Sequence, residues 1–180
     1  MINTTLDSAL KTKVQAIRLV IFDVDGVLTT GAIEYDAQGV ESKTFNVKDG
    51  LGIVLLGKSG VDVAIITGRT SLVVEHRAQE LKIPHLYQGQ LNKIAAFETL
   101  LKKLNLKPEQ VAYLGDDIPD LPLIQRVGFG CAVADATAPV LAAATWISQA
   151  AGGQGAAREL CELIMSVQGT WNEAIACFHS

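Results

Sequence analysis

The chain has 180 residues, 49% of them hydrophobic and 19% charged, which is enough apolar material for one folded core and excludes a disordered chain. A net charge of -4 excludes a strongly basic nucleic-acid face, and an aromatic content of 6% argues against a stacking platform for sugars or single strands. The mean hydropathy of +0.28 points to buried parallel strands or to apolar surface covered in an assembly.

In chain order, residues 18–22 (RLVIF) are a short β-branched run ending in aspartate and predict a first strand. Residues 32–45 alternate on both sides of Asp36-Ala37-Gln38-Gly39 and predict a β-hairpin projecting from that strand. A lone hairpin is marginal in water, so this one is expected to pack on a partner subunit. Helical patterns follow over 49–59, 71–81, 92–104 and 120–127, with strands expected over 61–67, 111–114 and 130–134 and a further short strand before Lys93. The glycine-rich run 152–155 predicts a mobile hinge before a helix over 156–167, and 169–180 is weakly patterned, so 152–180 reads as a flexible tail. Strands apolar on both faces, each followed by a helix, predict an α/β fold: a Rossmann-like parallel sheet with helices on both faces, in one domain over 1–180. The gaps from Asp25 to Thr67 and from Thr67 to Lys93 are too short for a cap domain.

Cys131, Cys161 and Cys177 are odd in number and widely spaced, which excludes a disulfide or zinc framework and fits a reducing compartment. The start, MINTTLDSAL, lacks a charged-then-apolar leader pattern, and no run reaches the ~18 apolar residues that span a bilayer. A cytoplasmic protein without membrane or nucleic-acid partners is expected. His76, His85 and His179 have no partners at metal or triad spacing and read as structural.

Four polar clusters fall at strand ends or helix starts: Asp23-Val24-Asp25-Gly26, Thr67-Gly68-Arg69, Lys93, and Gly115-Asp116-Asp117-Ile118-Pro119-Asp120. In open α/β sheets the carboxyl edge of the strands is where ligands bind. Singly, each cluster has an ordinary counterpart: a solvated turn, a strand end, a surface lysine, or carboxylates capping a helix at Asp117 and Asp120.

Together and in this order, the clusters resemble the haloacid dehalogenase superfamily of phosphotransferases, over residues 18–134. The resemblance implies Asp23 as nucleophile, since a carboxylate can form an acyl-phosphate that water then hydrolyses. It implies Asp25 as general acid and base, and Mg²⁺ held by Asp23, Asp116 and the Asp25 carbonyl, because two anions do not approach unaided and this ion prefers hard oxygen ligands. Lys93 would supply positive charge, and Thr67 with the Gly68 amide would donate to phosphate. Asp117 would lie outside the metal's ligands, and Asp120 would be structural.

Further segments extend the likeness: Phe45-Asn46-Val47-Lys48-Asp49-Gly50, Tyr87-Gln88-Gly89, Val133-Ala134-Asp135-Ala136 and Gly152-Gly153-Gln154-Gly155. With these the chain is similar to the family of 3-deoxy-D-manno-octulosonate 8-phosphate phosphatases. That family implies a capless, Mg²⁺-dependent homotetramer of lipopolysaccharide precursor synthesis, with paired hairpins and tails reaching a neighbour's site. It also implies a sugar-acid phosphate bound by Asp25, Asn46, Val47, Lys48, Asp49, Gly50, Gly68, Arg69, Arg77 and Lys93. Arginine is frequent in the family where Lys48 stands, and lysine lacks its bidentate fork. Arg77 could equally lie on a solvated helix face. Arg158 is the tail cation best placed to meet an anionic substrate, or else an ordinary first-turn surface residue. A phosphatase for a nine-carbon sugar acid phosphate shares all these motifs. A non-catalytic regulatory module would have lost Asp23, Asp25, Lys93 or Asp116.

Overall fold

The computed structural model describes residues 7–176 and 178; Cys177, His179 and the last of the tail thus lie outside the described residues. Its centre is a six-stranded sheet in the order β5-β4-β1-β6-β7-β8, every neighbouring pair parallel. The strands are β1 (Leu19–Phe22), β4 (Asp62–Ile66), β5 (His85–Tyr87), β6 (Val111–Gly115), β7 (Phe129–Ala132) and β8 (Trp146–Ile147), while β2 (Glu34–Tyr35) and β3 (Glu41–Ser42) form a separate antiparallel hairpin. All of β1, β6 and β7 is buried, as expected of a parallel sheet covered on both faces.

The covering helices are α1 (Ser8–Ala16), α2 (Val47–Lys58) and α7 (Ala156–Gln168), which pack together, and α4 (Lys93–Leu104), α5 (Leu121–Ile124) and α6 (Ala138–Ala143), which form a second group; α3 (Leu72–Glu80) and α8 (Trp171–Ala176) complete the set. The predicted α/β sheet and its projecting hairpin both stand in the structure.

Several boundaries differ for identifiable reasons. The expected strand 61–67 ends at Ile66, which leaves Thr67 beyond the sheet. The expected helix 120–127 shrinks to α5 behind a 3-10 turn, Ile118–Asp120; past Ile124 the chain closes in a turn, Arg126 N and Val127 N donating to Leu123 O, and Gly128 N donates away to Pro108 O. Helices α1 and α6 and strand β8 were not foreseen; each is short and only one or two of its residues are buried. The hairpin strands are only two residues long each, and Asp36 Oδ1 closes their turn by accepting from Gln38 N and Val40 N at 2.9 and 2.8 Å.

The expected flexible tail from Gly152 is corrected. Gly152 N donates to Asp135 Oδ1 at 2.9 Å and Gly153 N to Val27 O at 2.8 Å. A Cβ on Gly152 would stand 1.8 Å from Gly26 O, so the glycines let this loop press against the turn that carries Asp23 and Asp25. Beyond it, α7 buries Leu160, Cys161, Ile164 and Met165 in the core. A chain cut after Ala151 would therefore lose part of its core, not merely a cover.

Candidate active site

The sheet register builds the site. Phe22 pairs with Leu114 of β6 on one side and Ile65 of β4 on the other. The first residues past the ends of β1, β6 and β4, namely Asp23, Asp116 and Thr67, therefore leave the sheet at one carboxyl edge, where β1 and β6 diverge in their connections. With Asp25, Gly68, Arg69, Lys93 and Asp120 they line a cleft of about 380 Å³, within the range of small-molecule sites. A narrow second hollow between α2 and α3 is lined by Val24, Phe45, Ile53 and Val74 and also by Asn46, Asp49, Gly50 and Arg77.

Carboxylate oxygens of Asp23, Asp116 and Asp120 lie within 4.8 Å of one another. One ammonium faces them: Lys93 Nζ stands 3.0 Å from Asp23 Oδ1 and 2.6 Å from Asp120 Oδ1, and its side chain is 3% exposed. Lys93 arrives there as the first residue of α4, whose start Asn92 caps by accepting from Ile94 N at 3.1 Å. Burial lowers the Lys93 ammonium, but the carboxylates of Asp23 and Asp120 outweigh it and hold the pKa above the usual lysine value. Asp120 is saturated with donors: Lys93, the Tyr113 hydroxyl at 2.6 Å and Asp116 N at 2.9 Å. It braces Lys93 and the 116–117 turn, as expected of a structural residue. Asp117 accepts from Ile118 N at 2.8 Å and caps the 3-10 turn.

Asp23 Oδ1 and Asp116 Oδ1, by contrast, are buried and accept no hydrogen bond, the ion pair with Lys93 lacking that alignment. Gly26, at φ +84°, permits the crowding, since a Cβ there would stand 2.1 Å from Asp116 Oδ2. Burial, then the Asp120 charge, raises Asp23 to about 6. Burial, then Asp120 and Asp23, raises Asp116 to about 8. Two buried carboxylate oxygens that accept no hydrogen bond, one of them 3.0 Å from Lys93 Nζ, suit a hard divalent cation, so the residues present fit Mg²⁺.

These raised values carry a stability consequence. A carboxyl whose folded pKa exceeds its unfolded value stabilises fully below the unfolded pKa, and that contribution is lost as pH rises through the folded pKa. The contribution of this pair to the stability of the metal-free protein is thus expected to fall between about pH 4 and pH 8. Since the cation needs the ionised pair, the Mg²⁺-induced rise in Tm should be larger at about pH 8.5 than at about pH 5.5. Equal shifts at both pH values would refute this account of Asp23 and Asp116.

Asp25 meets the hairpin. Lys43 Nζ forms a short ion pair with Asp25 Oδ1 and stands 3.4 Å from Glu41; Arg69 Nε stands 3.7 Å from Asp25 Oδ2. Arg69 also bonds Glu41 at 2.5 Å and the Tyr35 hydroxyl at 3.2 Å. Hydrogen bonding from Ser71, and further from Arg69, brings the Glu41 carboxyl down to about 2. The sequence reading missed Lys43, Glu41, Tyr35 and Tyr113. The one available signal was the two-residue period that sets Glu41 and Lys43 on one side of an extended chain.

The other expected substrate contacts lie outside this chain's cleft. Asn46 caps α2 through Lys48 N at 2.8 Å, and its amide donates to Gly153 O at 3.3 Å. Val47 and Lys48 are exposed on the first turn of α2. Asp49 is buried and accepts from Arg158 N at 2.8 Å, which joins α2 to the start of α7. Arg77 packs against Gly50, donates to Asn46 O at 3.3 Å and Glu80 at 2.8 Å, and covers the Phe45 ring. Arg158 pairs with Glu162 and lies over the Trp171 ring. The physical reason is common to them: each satisfies helix ends and neighbours that sequence order does not display.

Paired carboxylates each with a buried oxygen that accepts no hydrogen bond, an ammonium beside them and a hydroxyl at the next strand end, on the carboxyl edge of a parallel sheet, define a phosphoryl-transfer site of the haloacid dehalogenase-like class. Residues 83–160 match the family described as haloacid dehalogenase-like hydrolase. The 3-deoxy-D-manno-octulosonate 8-phosphate phosphatase KdsC of Salmonella typhi is 50% identical over 163 residues, 91% of this chain and 87% of its own length. Its Escherichia coli K12 counterpart is 50% identical over 162 residues, 90% and 86% of the two chains. The crystal structure of 3-deoxy-D-manno-octulosonate 8-phosphate phosphatase from Moraxella catarrhalis, in complex with magnesium, phosphate and KDO, superposes with TM-score 0.93 at 43% identity, covering 96% of this chain and 99% of that one. The chain belongs to the family of 3-deoxy-D-manno-octulosonate 8-phosphate phosphatases.

Proposed function

We propose that this protein hydrolyses 3-deoxy-D-manno-octulosonate 8-phosphate to 3-deoxy-D-manno-octulosonate and inorganic phosphate, in lipopolysaccharide precursor biosynthesis. The observation that carries the reading is the donor-free pair of buried oxygens on Asp23 and Asp116 beside Lys93, in a chain 50% identical to phosphatases named for that substrate. A regulatory module without catalysis has no use for that arrangement.

Asp23 attacks the phosphorus and becomes an aspartyl-phosphate as the sugar alkoxide leaves. Asp25 gives its proton to that alkoxide and then takes one from the water that hydrolyses the acyl-phosphate. Lys93 holds Asp23 ionised and balances the phosphoryl oxygens, and Thr67 with the Gly68 amide donates to them. Mg²⁺, held by the side chains of Asp23 and Asp116 with the Asp25 carbonyl, supplies the charge neutralisation that lets two anions meet. Arg69 at the cleft rim serves the sugar acid's carboxylate.

Asp25→Asn is expected to slow turnover of a sugar phosphate by ~10²–10⁴-fold. Near wild-type turnover in that variant would make Asp25 structural. The substrate reading is tested by phosphate release from a panel of sugar phosphates with Mg²⁺. A clear preference for the eight-carbon acid is expected, and a preference for a nine-carbon acid would overturn the assignment.

The same proposal places one haloacid dehalogenase-like domain in a homotetramer in the cytoplasm. Exposed Ile33, Tyr35 and Val40 on the hairpin support assembly through it, and the free buried thiols of Cys131 and Cys161 support a reducing compartment. Among the described residues no helix is long and apolar enough to cross a membrane. Val47 and Lys48, exposed on α2, are proposed to meet substrate from a neighbouring subunit. Light scattering that gives a monomer would remove the assembly.

A further inference from the structure

The hairpin holds a buried ammonium that the phosphatase reaction as described leaves unused. Lys43 follows β3, on an arm whose neighbours Ser42 and Thr44 are exposed, yet its own side chain is 2% exposed. A lysine rarely surrenders its hydration without a partner. Here the partner is Asp25 Oδ1, with Glu41 Oε1 3.4 Å away. On the far side of the same carboxylate, Arg69 Nε stands 3.7 Å from Asp25 Oδ2, and Arg69 is itself held by Glu41 and Tyr35. Every one of these partners except Asp25 and Arg69 belongs to the hairpin.

Asp25 follows β1 on the turn where the chain leaves the sheet. Among the described residues no side-chain hydrogen bond outside the hairpin network reaches its carboxylate, whereas Asp23 is flanked by Lys93 and Asp120 accepts from Lys93, Tyr113 and the N–H groups of Asp116 and Asp117. Its rotamer is therefore set from above, by the hairpin. We infer that Lys43 is a positioning residue for Asp25, through which the hairpin aims the proton-carrying carboxylate at the leaving group. This rests on the reading of Asp25 as the proton carrier under the proposed function. It also gives the hairpin a role within its own chain's site, separate from any part in assembly.

The test separates positioning from mere packing through the leaving group. A sugar alkoxide needs a proton to depart; p-nitrophenolate does not. First-turnover rates, which report only the step that expels the leaving group, are measured for both phosphate esters with Mg²⁺. Lys43→Met keeps the volume and removes the charge. It is expected to slow the first turnover of the sugar-acid phosphate by ~10²-fold and that of p-nitrophenyl phosphate by less than ~10-fold. Lys43→Arg, which keeps the charge, is expected to recover most of the sugar-phosphate rate with any remaining loss still confined to that ester. This variant decides the matter if Lys43→Met does not fold. Equal losses on the two esters, or no loss on either, would overturn the proposal. Asp25→Asn is run alongside: if it shows the selective loss and the Lys43 variants do not, Lys43 alone is misassigned. If Asp25→Asn is itself unselective, the proton-carrier reading fails and the positioning role fails with it.

Discussion

Asp23→Asn is expected to abolish turnover, by on the order of 10⁴-fold or more, while leaving the protein folded. The amide is isosteric, but it cannot attack phosphorus to form an acyl-phosphate. The fold has no reason to suffer. Asp23 is a buried carboxylate raised to about 6 by burial and by Asp120, so in the metal-free protein near neutral pH its charge opposes folding. The variant is therefore expected to unfold at a temperature no lower than the wild type when both are metal-free at about pH 8, and its Tm should respond less to Mg²⁺. Steady-state phosphate release by a folded Asp23→Asn sample would remove the nucleophile assignment.

Lys93→Met should damage both stability and activity. Lys93 is the ammonium between Asp23 and Asp120, at 3.0 and 2.6 Å, and is 4% exposed as a residue. Methionine fills the volume and leaves two buried carboxylates without their cation. Removing one partner of a buried pair costs about 3–5 kcal/mol, far more than the pair contributes over an apolar replacement. Denaturant unfolding of the metal-free variant should show a loss of that order. Added Mg²⁺ should restore part of it, because a divalent cation replaces the missing charge. A loss below ~1 kcal/mol would mean that Asp120 is neutral or that water reaches the cluster, and the charge balance drawn for the site would be wrong.

Much of the fold is legible in the residues themselves. LVIF, VAII and VAYLG are buried along their whole length, as a doubly covered parallel sheet requires, and each is followed directly by a polar residue: Asp23, Thr67 or Asp116. Elements with weaker patterns escaped. The strand β8 is two residues long, and α6 exposes most of its surface, so neither leaves a periodic signature. The glycines of 152–155 read as freedom but serve close approach, because a missing side chain signals either use equally well.

By itself, then, the sequence determined the order of the strands' polar ends and the α/β class, because these follow from local runs, and through motif order and family resemblance it nominated the residues proposed for phosphoryl transfer. Tertiary structure decided how charge is shared among them. That Asp120 accepts from Lys93, Tyr113 and Asp116 N while one buried oxygen each of Asp23 and Asp116 accepts no hydrogen bond depends on the register of β1 against β6. That Asp49 and Arg158 tie α2 to α7, far apart in sequence, depends on where two helices meet on one face of the sheet. That Lys43 reaches Asp25 depends on a hairpin folding back over the strand that precedes it. Electrostatic partnership falls off over a few ångströms of space, and separation along the chain carries no information about distances of that size once the chain has folded.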